Sequence, residues 1–294
     1  MSTMRSDPSH RPGGSSHLPS REGGSTAPGG IGLSIIVPAR NEAESLPRLI
    51  EEIALAFRPI VARGESAGHR MEGFEVVLVD DASTDDTPEV LDRLAPGYPE
   101  LKPVRMARNV GQSSAIVAGF REARGAFVAT LDADLQNDPG DLARLWDLLP
   151  GFDAVLGWRQ TRRDVWTKRQ VSRWANRVRN LVLGQSIRDT GCSVRIFPRD
   201  VALRLPMFHG AHRFFGPLLL REGCAIRQEP VGHRPRPHGS SHYSLRNRSW
   251  AVVVDLIGVA WLMRRPVRYE AADVPPAAPG PGASARPVAS RQEA

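Results

Sequence analysis

Three short apolar runs, each closed by polar residues and followed by a helical pattern, constrain this chain more than any other feature. They are Leu33-Ser34-Ile35-Ile36-Val37-Pro38, Phe74-Glu75-Val76-Val77-Leu78-Val79 and Gly125-Ala126-Phe127-Val128-Ala129-Thr130-Leu131. Runs of this length read as strands buried on both faces. Glu42–Phe57 carries apolar residues at Leu46, Leu49, Ile50, Ile53 and Leu55, a helical spacing with acidic residues early. Helices are also predicted over Pro88–Leu94, with Asp86 or Thr87 as cap, and over Gln112–Ala123 and Asp141–Leu149. Val104–Met106 and Ala154–Gly157 read as further strands. Strands alternating with helices imply an α/β fold, a mostly parallel sheet covered by helices on both faces. Ligands of such sheets bind at the carboxyl ends of the strands. Pro38–Arg40, Asp80-Asp81, Asn109–Gly111 and Asp132–Asp134 all fall just after strand ends, on one rim.

Asp132-Ala133-Asp134-Leu135-Gln136 is the most chemical of these clusters. Two carboxylates two residues apart at a strand end can both reach one hard cation, which takes its remaining ligands from water and a substrate diphosphate. An Asp-rich turn with no ligand is the alternative. From Ser34 to Gly157 there are 12 Lys and Arg against 21 Asp and Glu, a net of −9; from Trp158 to Arg248 there are 19 against 5, a net of +14. The acidic half suits a metal, and the basic half should face phosphates. The two cysteines, Cys192 and Cys224, exclude a disulfide framework and a cysteine-built metal site, and fit a reducing compartment. Residues 1–32 are rich in Gly, Ser, Pro and charge, and are predicted to be a disordered tail without the apolar core of a secretory signal; 273–294 reads as a second tail.

Val37-Pro38-Ala39-Arg40-Asn41-Glu42, Val79-Asp80-Asp81-Ala82-Ser83-Thr84-Asp85, Asn109-Val110-Gly111 and Leu131–Gln136 together resemble the family 2 glycosyltransferases of the GT-A fold. Leu135-Gln136 and Asp189-Thr190-Gly191-Cys192-Ser193-Val194-Arg195 look like the dolichyl-phosphate mannosyltransferase branch, whose bacterial members use polyprenyl phosphates. The resemblance implies that Pro38, Arg40 and Glu42 line the nucleotide pocket, that Asp81 with Asp80 binds base or ribose, and that Asn109 and Gly111 shape the adjoining loop. It implies that Asp132, Ala133 and Asp134 meet the donor diphosphate. Asp132 and Asp134, with Gln136 as an additional ligand, would hold Mg²⁺ or Mn²⁺. Arg40 stands where an aromatic residue is common. Arg159 matches a "glycine–small–arginine" position and is expected at the donor diphosphate, with Trp158 replacing the small residue. Asp134, Arg159, Arg173 and Arg195 are the candidate catalytic residues.

The basic half supplies an anion site. Val165–Leu183 has a helical pattern, and Arg169 and Arg173, four apart, share a face as a candidate clamp for the acceptor phosphate. Gln170-Val171-Ser172-Arg173-Trp174 also fits the Q-x-x-R-W pattern of processive polysaccharide synthases, but a five-residue pattern with three fixed positions is weak. Arg236-Pro237-His238-Gly239-Ser240-Ser241-His242-Tyr243 resembles the family's R-x-x-G-x-S-K-Y loop. That puts Arg236, Ser241 and His242 at the acceptor phosphate, with His242 in place of lysine.

The expected reaction displaces a nucleoside diphosphate from an anomeric carbon, and the family implies inversion there. A lipid monophosphate is already ionised at neutral pH and needs no general base. A saccharide or protein hydroxyl, the alternative acceptor, needs one, and Asp189 is the only candidate. Trp250–Met263 is apolar but interrupted by Asp255 and bounded by Arg246, Arg248, Arg264 and Arg265. It reads either as a helix lying in the membrane interface or as a buried core helix. The expected organisation is a GT-A domain over 33–248 and an interfacial helix over 249–272. The expected setting is peripheral, on the cytoplasmic face of a membrane, with a separate membrane protein as a candidate partner. Nucleic-acid binding is disfavoured: no recognisable module is present and the acidic rim repels phosphate. A nucleotidyltransferase would show a Gly-rich phosphate loop near the first strand, where Pro38–Glu42 stands instead.

Overall fold

A computed structural model describes residues 30–66, 69–160, 187–235 and 245–265, with backbone alone at 65–66, 69–70 and 245–253. The elements are β1 (Ile31–Ala39), α1 (Leu46–Arg63), β2 (Glu65–Ser66), β3 (His69–Arg70), β4 (Gly73–Asp80), α2 (Thr87–Leu94), β5 (Leu101–Arg105), α3 (Gln112–Glu122), β6 (Phe127–Thr130), α4 (Pro139–Asp147), β7 (Ala154–Arg159), β8 (Arg195–Pro198), α5 (Arg199–Arg204), α6 (Phe215–Arg221), β9 (Ile226–Val231) and α7 (Leu245–Met263). Seven strands form one sheet in the order β5-β4-β1-β6-β8-β7-β9. β1 pairs in parallel with β4 and β6, β4 with β5, and β7 with β9. β8 runs antiparallel to both β6 and β7.

Period-two alternation splits the strands between two cores. Ile35, Val37, Val76 and Leu78 turn to one face, under Leu49, Ile53 and Phe57 of α1 and Leu145 and Trp146 of α4. Ile36, Val77 and Val79 turn to the other, under Ile116 and Phe120 of α3, Leu218 of α6 and Val259 of α7. There Phe120, Phe197 and Phe215 pack edge-to-face or tilted, with ring centroids 5.8–5.9 Å apart. The result is the three-layer α/β architecture expected from the strand–helix alternation.

The end of the sheet remote from the rim is tied by a buried carboxylate. Glu75 accepts from Ser34 Oγ (2.7 Å), the Arg124 backbone N–H (2.6 Å) and Arg124 Nε (3.0 Å). Gly125 passes so close that a Cβ would lie 2.7 Å from Ser34 N, which requires glycine there.

Several boundaries differ from the sequence expectation. β1 begins at Ile31, not Leu33. α1 begins at Leu46 because the Glu42 carbonyl first accepts from Ser45 N and Leu46 N, so Glu42 and Glu44 precede the helix. It continues through Pro59 to a left-handed Gly64. At α2, neither Asp86 nor Thr87 caps with its side chain; Asp85 Oδ1 accepts from Thr87 N (3.1 Å). β8 and β9 have no counterpart among the strands expected from the sequence. The tails, the Arg169/Arg173 helix and the loop bearing Arg236, Ser241 and His242 lie outside the described residues.

Candidate active site

The ends of β1, β4, β5 and β6 come together at one rim, and hydrogen bonds between the following loops knit it. Asn41 N donates to Ser83 Oγ (2.9 Å), and Thr84 N to Asn41 Oδ1 (2.8 Å). Glu42 N donates to Thr87 Oγ1 (3.0 Å). Asn41, Ala82 and Leu135 adopt positive φ, 55°, 52° and 59°. A non-glycine residue there is held in a sparsely populated region, and such strain concentrates at functional sites. All three follow a strand end at this rim.

Asp80 and Asp81 are both buried and both have structural partners. Asp80 Oδ1 accepts from Ser83 N (3.0 Å) and Ser83 Oγ (2.5 Å). Asp81 takes Val110 N and Gly111 N, each at 2.8 Å, one on each oxygen. The pair therefore shapes the turn after β4 and the loop into α3. With its amide oxygen turned to Arg40, Asn109 accepts from Arg40 Nε (2.8 Å), which ties the end of β1 to that loop. Gly111, at φ 87°, opens α3. Glu42 accepts from Ser45 Oγ (3.2 Å).

Below this scaffold is a cavity of about 330 Å³, and Pro38, Asp132, Arg159 and Arg195 line it. Asp132 Oδ1 accepts from Gln112 Nε2 (3.0 Å), and Asp134 Oδ1 from Gln136 N (3.1 Å). Burial, then the nearby Asp134 charge, raise the pKa of Asp132, against a hydrogen bond from Ser193 and the charges of Arg195 and Arg159. Two crowded carboxylates in a desolvated corner are what a divalent cation relieves. Among the described residues no group of three or more His, Cys, Asp or Glu could hold a metal. Asp132 and Asp134 therefore fit a cation only as two of its oxygen ligands, with water, substrate oxygens and Gln136 for the rest.

Arg159 forms a two-pronged pair with Asp189, Nε–Oδ2 2.8 Å and Nη2–Oδ1 3.0 Å, both side chains largely buried. Burial lowers its pKa, but the hydrogen bond and charge of Asp189 outweigh this and the net shift is upward. Three of its five N–H donors remain beyond that pair. Asp189 Oδ1 also accepts from Gly191 N (3.0 Å), so the side chain weighed as a base is engaged on both oxygens. Arg195, on β8, is buried, donates to the Thr190 carbonyl (3.0 Å) and lies 5.0 Å over the Phe215 ring. Burial lowers its pKa. Cys192, between them, is pushed up to about 11, chiefly by burial.

Among the polar residues that line the cavity, Gln112, His212 and Arg213 belong to none of the sequence motifs. Gln112 directly follows Asn109–Gly111 and was within reach of the motif reading. No sequence signal marks His212 or Arg213, which only the fold brings to the cavity. α7 packs one face on the core and leaves the other exposed. Val259 and Ala260 are buried, whereas Val254, Ile257 and Trp261 are 49%, 64% and 56% exposed.

The profile of glycosyl transferase family 2 matches residues 34–205. The chain is 35% identical over 243 residues to a dodecaprenyl-phosphate galacturonate synthase of Rhizobium johnstonii, covering 80% of this chain and 68% of the relative. It is 37% identical over 217 residues to an undecaprenyl-phosphate 4-deoxy-4-formamido-L-arabinose transferase of Edwardsiella ictaluri, covering 72% and 63%. The chain thus spans about two thirds of the length of these curated relatives. Among solved structures, the fold is similar to glucosyl-3-phosphoglycerate synthase of Mycobacterium tuberculosis with Mn²⁺ and UDP-glucose (TM-score 0.58, 21% identity, 79% of this chain and 80% of that one). It is also similar to a mannosyltransferase of Pyrobaculum calidifontis with GDP-Man and Mn²⁺ (TM-score 0.54, 22% identity, 78% and 64%). With the profile covering more than half of its length, the chain belongs to glycosyl transferase family 2.

Proposed function

We propose that this protein transfers a sugar from a nucleoside diphosphate sugar to a polyprenyl phosphate at a membrane surface. The observation that carries the reading is the meeting of Asp132 with Arg159 and Arg195 in one cavity at the carboxyl ends of parallel strands. A leaving diphosphate gains negative charge, and buried guanidiniums stabilise such charge without reorganising. The names of the relatives, dodecaprenyl- and undecaprenyl-phosphate enzymes, support the acceptor class.

In this reading Asp132 and Asp134 hold Mg²⁺ or Mn²⁺ with Gln136. The ion would act as a Lewis acid toward the diphosphate. Asp189 keeps Arg159 oriented and charged. Gln112 steadies Asp132, and Asp81 keeps the Asn109–Gly111 loop in shape beside the nucleotide. A phosphate oxygen of the acceptor forms the new bond to the anomeric carbon as the bond to the diphosphate oxygen breaks. A single displacement of this kind inverts the centre. No proton has to be removed, which agrees with an Asp189 engaged by Arg159 and Gly191 N. Transfer to a saccharide or protein hydroxyl would need that carboxylate as a base.

The membrane setting draws on α7. Among the described residues no helix is long and apolar enough to cross a membrane. Trp261, Ile257 and Val254 face outward, next to Arg264 and Arg265, a composition suited to lying on an anionic surface. We place the protein on the cytoplasmic face, with a separate membrane protein as candidate partner.

The test is incubation of the purified protein with a short polyprenyl phosphate, Mg²⁺ or Mn²⁺ and a panel of UDP- and GDP-sugars, with Asp134→Asn in parallel. One glycolipid by mass, absent from the variant and from chelated samples, is the expected result. Transfer to a hydroxyl acceptor but never to the phosphate would sink the reading.

A further inference from the structure

The loop that carries Asp132, Asp134 and Gln136 is pinned by chain arriving from β9, the edge strand of the sheet. Gln136 N donates to Asp134 Oδ1 (3.1 Å), so the orientation of the Leu135–Gln136 peptide aims that carboxylate. Leu135 stands at φ 59° with its side chain buried. A non-glycine residue in the left-handed region relaxes unless its surroundings over-determine it. Here the restraint comes from the far side of Gln136, whose carbonyl accepts from Arg234 N (2.8 Å), just after β9.

The side chain of Arg234 holds that backbone N–H in place. Its Nη1 donates to Glu52 Oε2 on α1 (2.7 Å) and its Nη2 to Asp138 Oδ2 (2.6 Å). Asp138 closes the loop two residues beyond Gln136, and its other oxygen caps α4 by accepting from Gly140 N (2.8 Å). The guanidinium thus grips one residue at the end of the loop and one on a separate helix. A planar fork between two carboxylates fixes the arginine as a flexible ammonium does not. A neighbouring tie joins the same stretch to α4 further along that helix. There Gly232 N donates to Asp141 Oδ2 (2.6 Å), and Arg144 donates to the Pro230 carbonyl.

We infer that Arg234 is a positioning residue for the proposed cation site: it fixes the Gln136 peptide, and that peptide aims Asp134. This rests on the metal reading under the proposed function and adds a residue to it. Two carboxylates set to share one ion repel each other before it arrives. Their arrangement must therefore be held by the protein in advance, and groups that orient metal ligands account for about ten- to a hundredfold in metal affinity. A bond serving the architecture alone would change stability and leave metal affinity as it was.

The test reads Mn²⁺ binding to the full chain by electron paramagnetic resonance of the free ion, with Mn²⁺ alone and with UDP or GDP added. Arg234→Met, which keeps the stem and removes the fork, should raise the Kd for Mn²⁺ about tenfold. Arg234→Lys should recover part of the loss. Arg144→Met, which cuts the neighbouring tie, should lower the melting temperature by a similar amount and leave the Kd little changed. Glu52 stands on α1 and reaches the loop through Arg234. Glu52→Gln should weaken Mn²⁺ binding in the same direction, and should add nothing to Arg234→Met in the double variant. If Arg234→Met does not fold, Glu52→Gln alone decides. An unchanged Kd in the deciding variant, or an equal rise in Arg144→Met, overturns the positioning role. A wild type that binds no Mn²⁺ under any of these conditions would remove the metal from the proposed function and the inference with it. Mn²⁺ bound alike by the wild type and the deciding variant refutes the inference alone.

Discussion

Asp132 is a residue whose place at the proposed site carries a cost to stability. Burial and Asp134 raise its pKa, so the folded protein holds the proton more tightly than the unfolded chain does. Its contribution to stability is then present below the ordinary carboxylate range and lost as pH rises through the raised value. Asp132→Asn should therefore raise the melting temperature of metal-free protein at neutral pH. The gain should shrink as pH falls, and Mn²⁺ should stabilise the wild type but not the variant. Thermal scans from pH 4 to 8 with and without Mn²⁺ check all three; a variant less stable at every pH would remove the strain from the account. The two carboxylates were legible as a pair because they follow a strand of recognisable length. The engagement of Asp80 and Asp81 by Ser83, Val110 and Gly111 was not, since those partners sit on loops whose course no periodicity reveals.

Helix α3 is the element through which packing reaches the site. It presents Gln112 to Asp132 and Ser113 to His212 at one end. In its middle, Gly119 lies flat on β1, where a Cβ would come within 2.3 Å of Ile36 Cγ2 and 3.4 Å of Val79 Cγ2. In a solvent-exposed helix, glycine to alanine gains about 1 kcal/mol of helix propensity. Here overpacking costs about 1–3 kcal/mol, and it wins because Ile36 is wholly buried between neighbours. Gly119→Ala should lower the urea midpoint and raise the donor KM together, because α3 must slide or tilt to relieve the clash. A stabilised variant with unchanged kinetics would refute this role. The 3.6-residue pattern marked α3 well, but not the closeness of its approach, which depends on how the sheet twists beneath it.

For the molecule as a whole, the asymmetry of faces matters most. The acidic N-terminal half builds the rim, and β8 and β9 bring Arg195 and the basic half beside it. Arg234, after β9, pairs with Glu52 of α1 (2.7 Å) and Asp138 at the start of α4 (2.6 Å), and its N–H bonds the Gln136 carbonyl (2.8 Å). The segment leading to Arg236 thus starts beside the Asp132–Gln136 cluster. α7 adds an outward apolar face flanked by Arg264 and Arg265. Replacing Ile257 and Trp261 by Glu should weaken sedimentation with anionic vesicles by about tenfold or more, since each large side chain contributes about 1.5–3 kcal/mol when buried. Nucleotide binding should be unaffected. Equal sedimentation of the two proteins would show that another surface docks.

The α/β class, the rim of polar clusters and the family were all determined by sequence alone. Buried parallel strands must read as continuous apolar runs, and a ligand-binding rim must follow each one. Tertiary structure decided what lies across the sheet. The antiparallel β8 is four residues long and begins with an arginine, so no apolar pattern announces it, yet it carries Arg195 into the cavity. His212, Arg213 and Asp255 have no motif between them. The cavity wall made by His212 and Arg213 exists only because the chain returns over α3 and packs one face of its last helix, leaving the other to its surroundings.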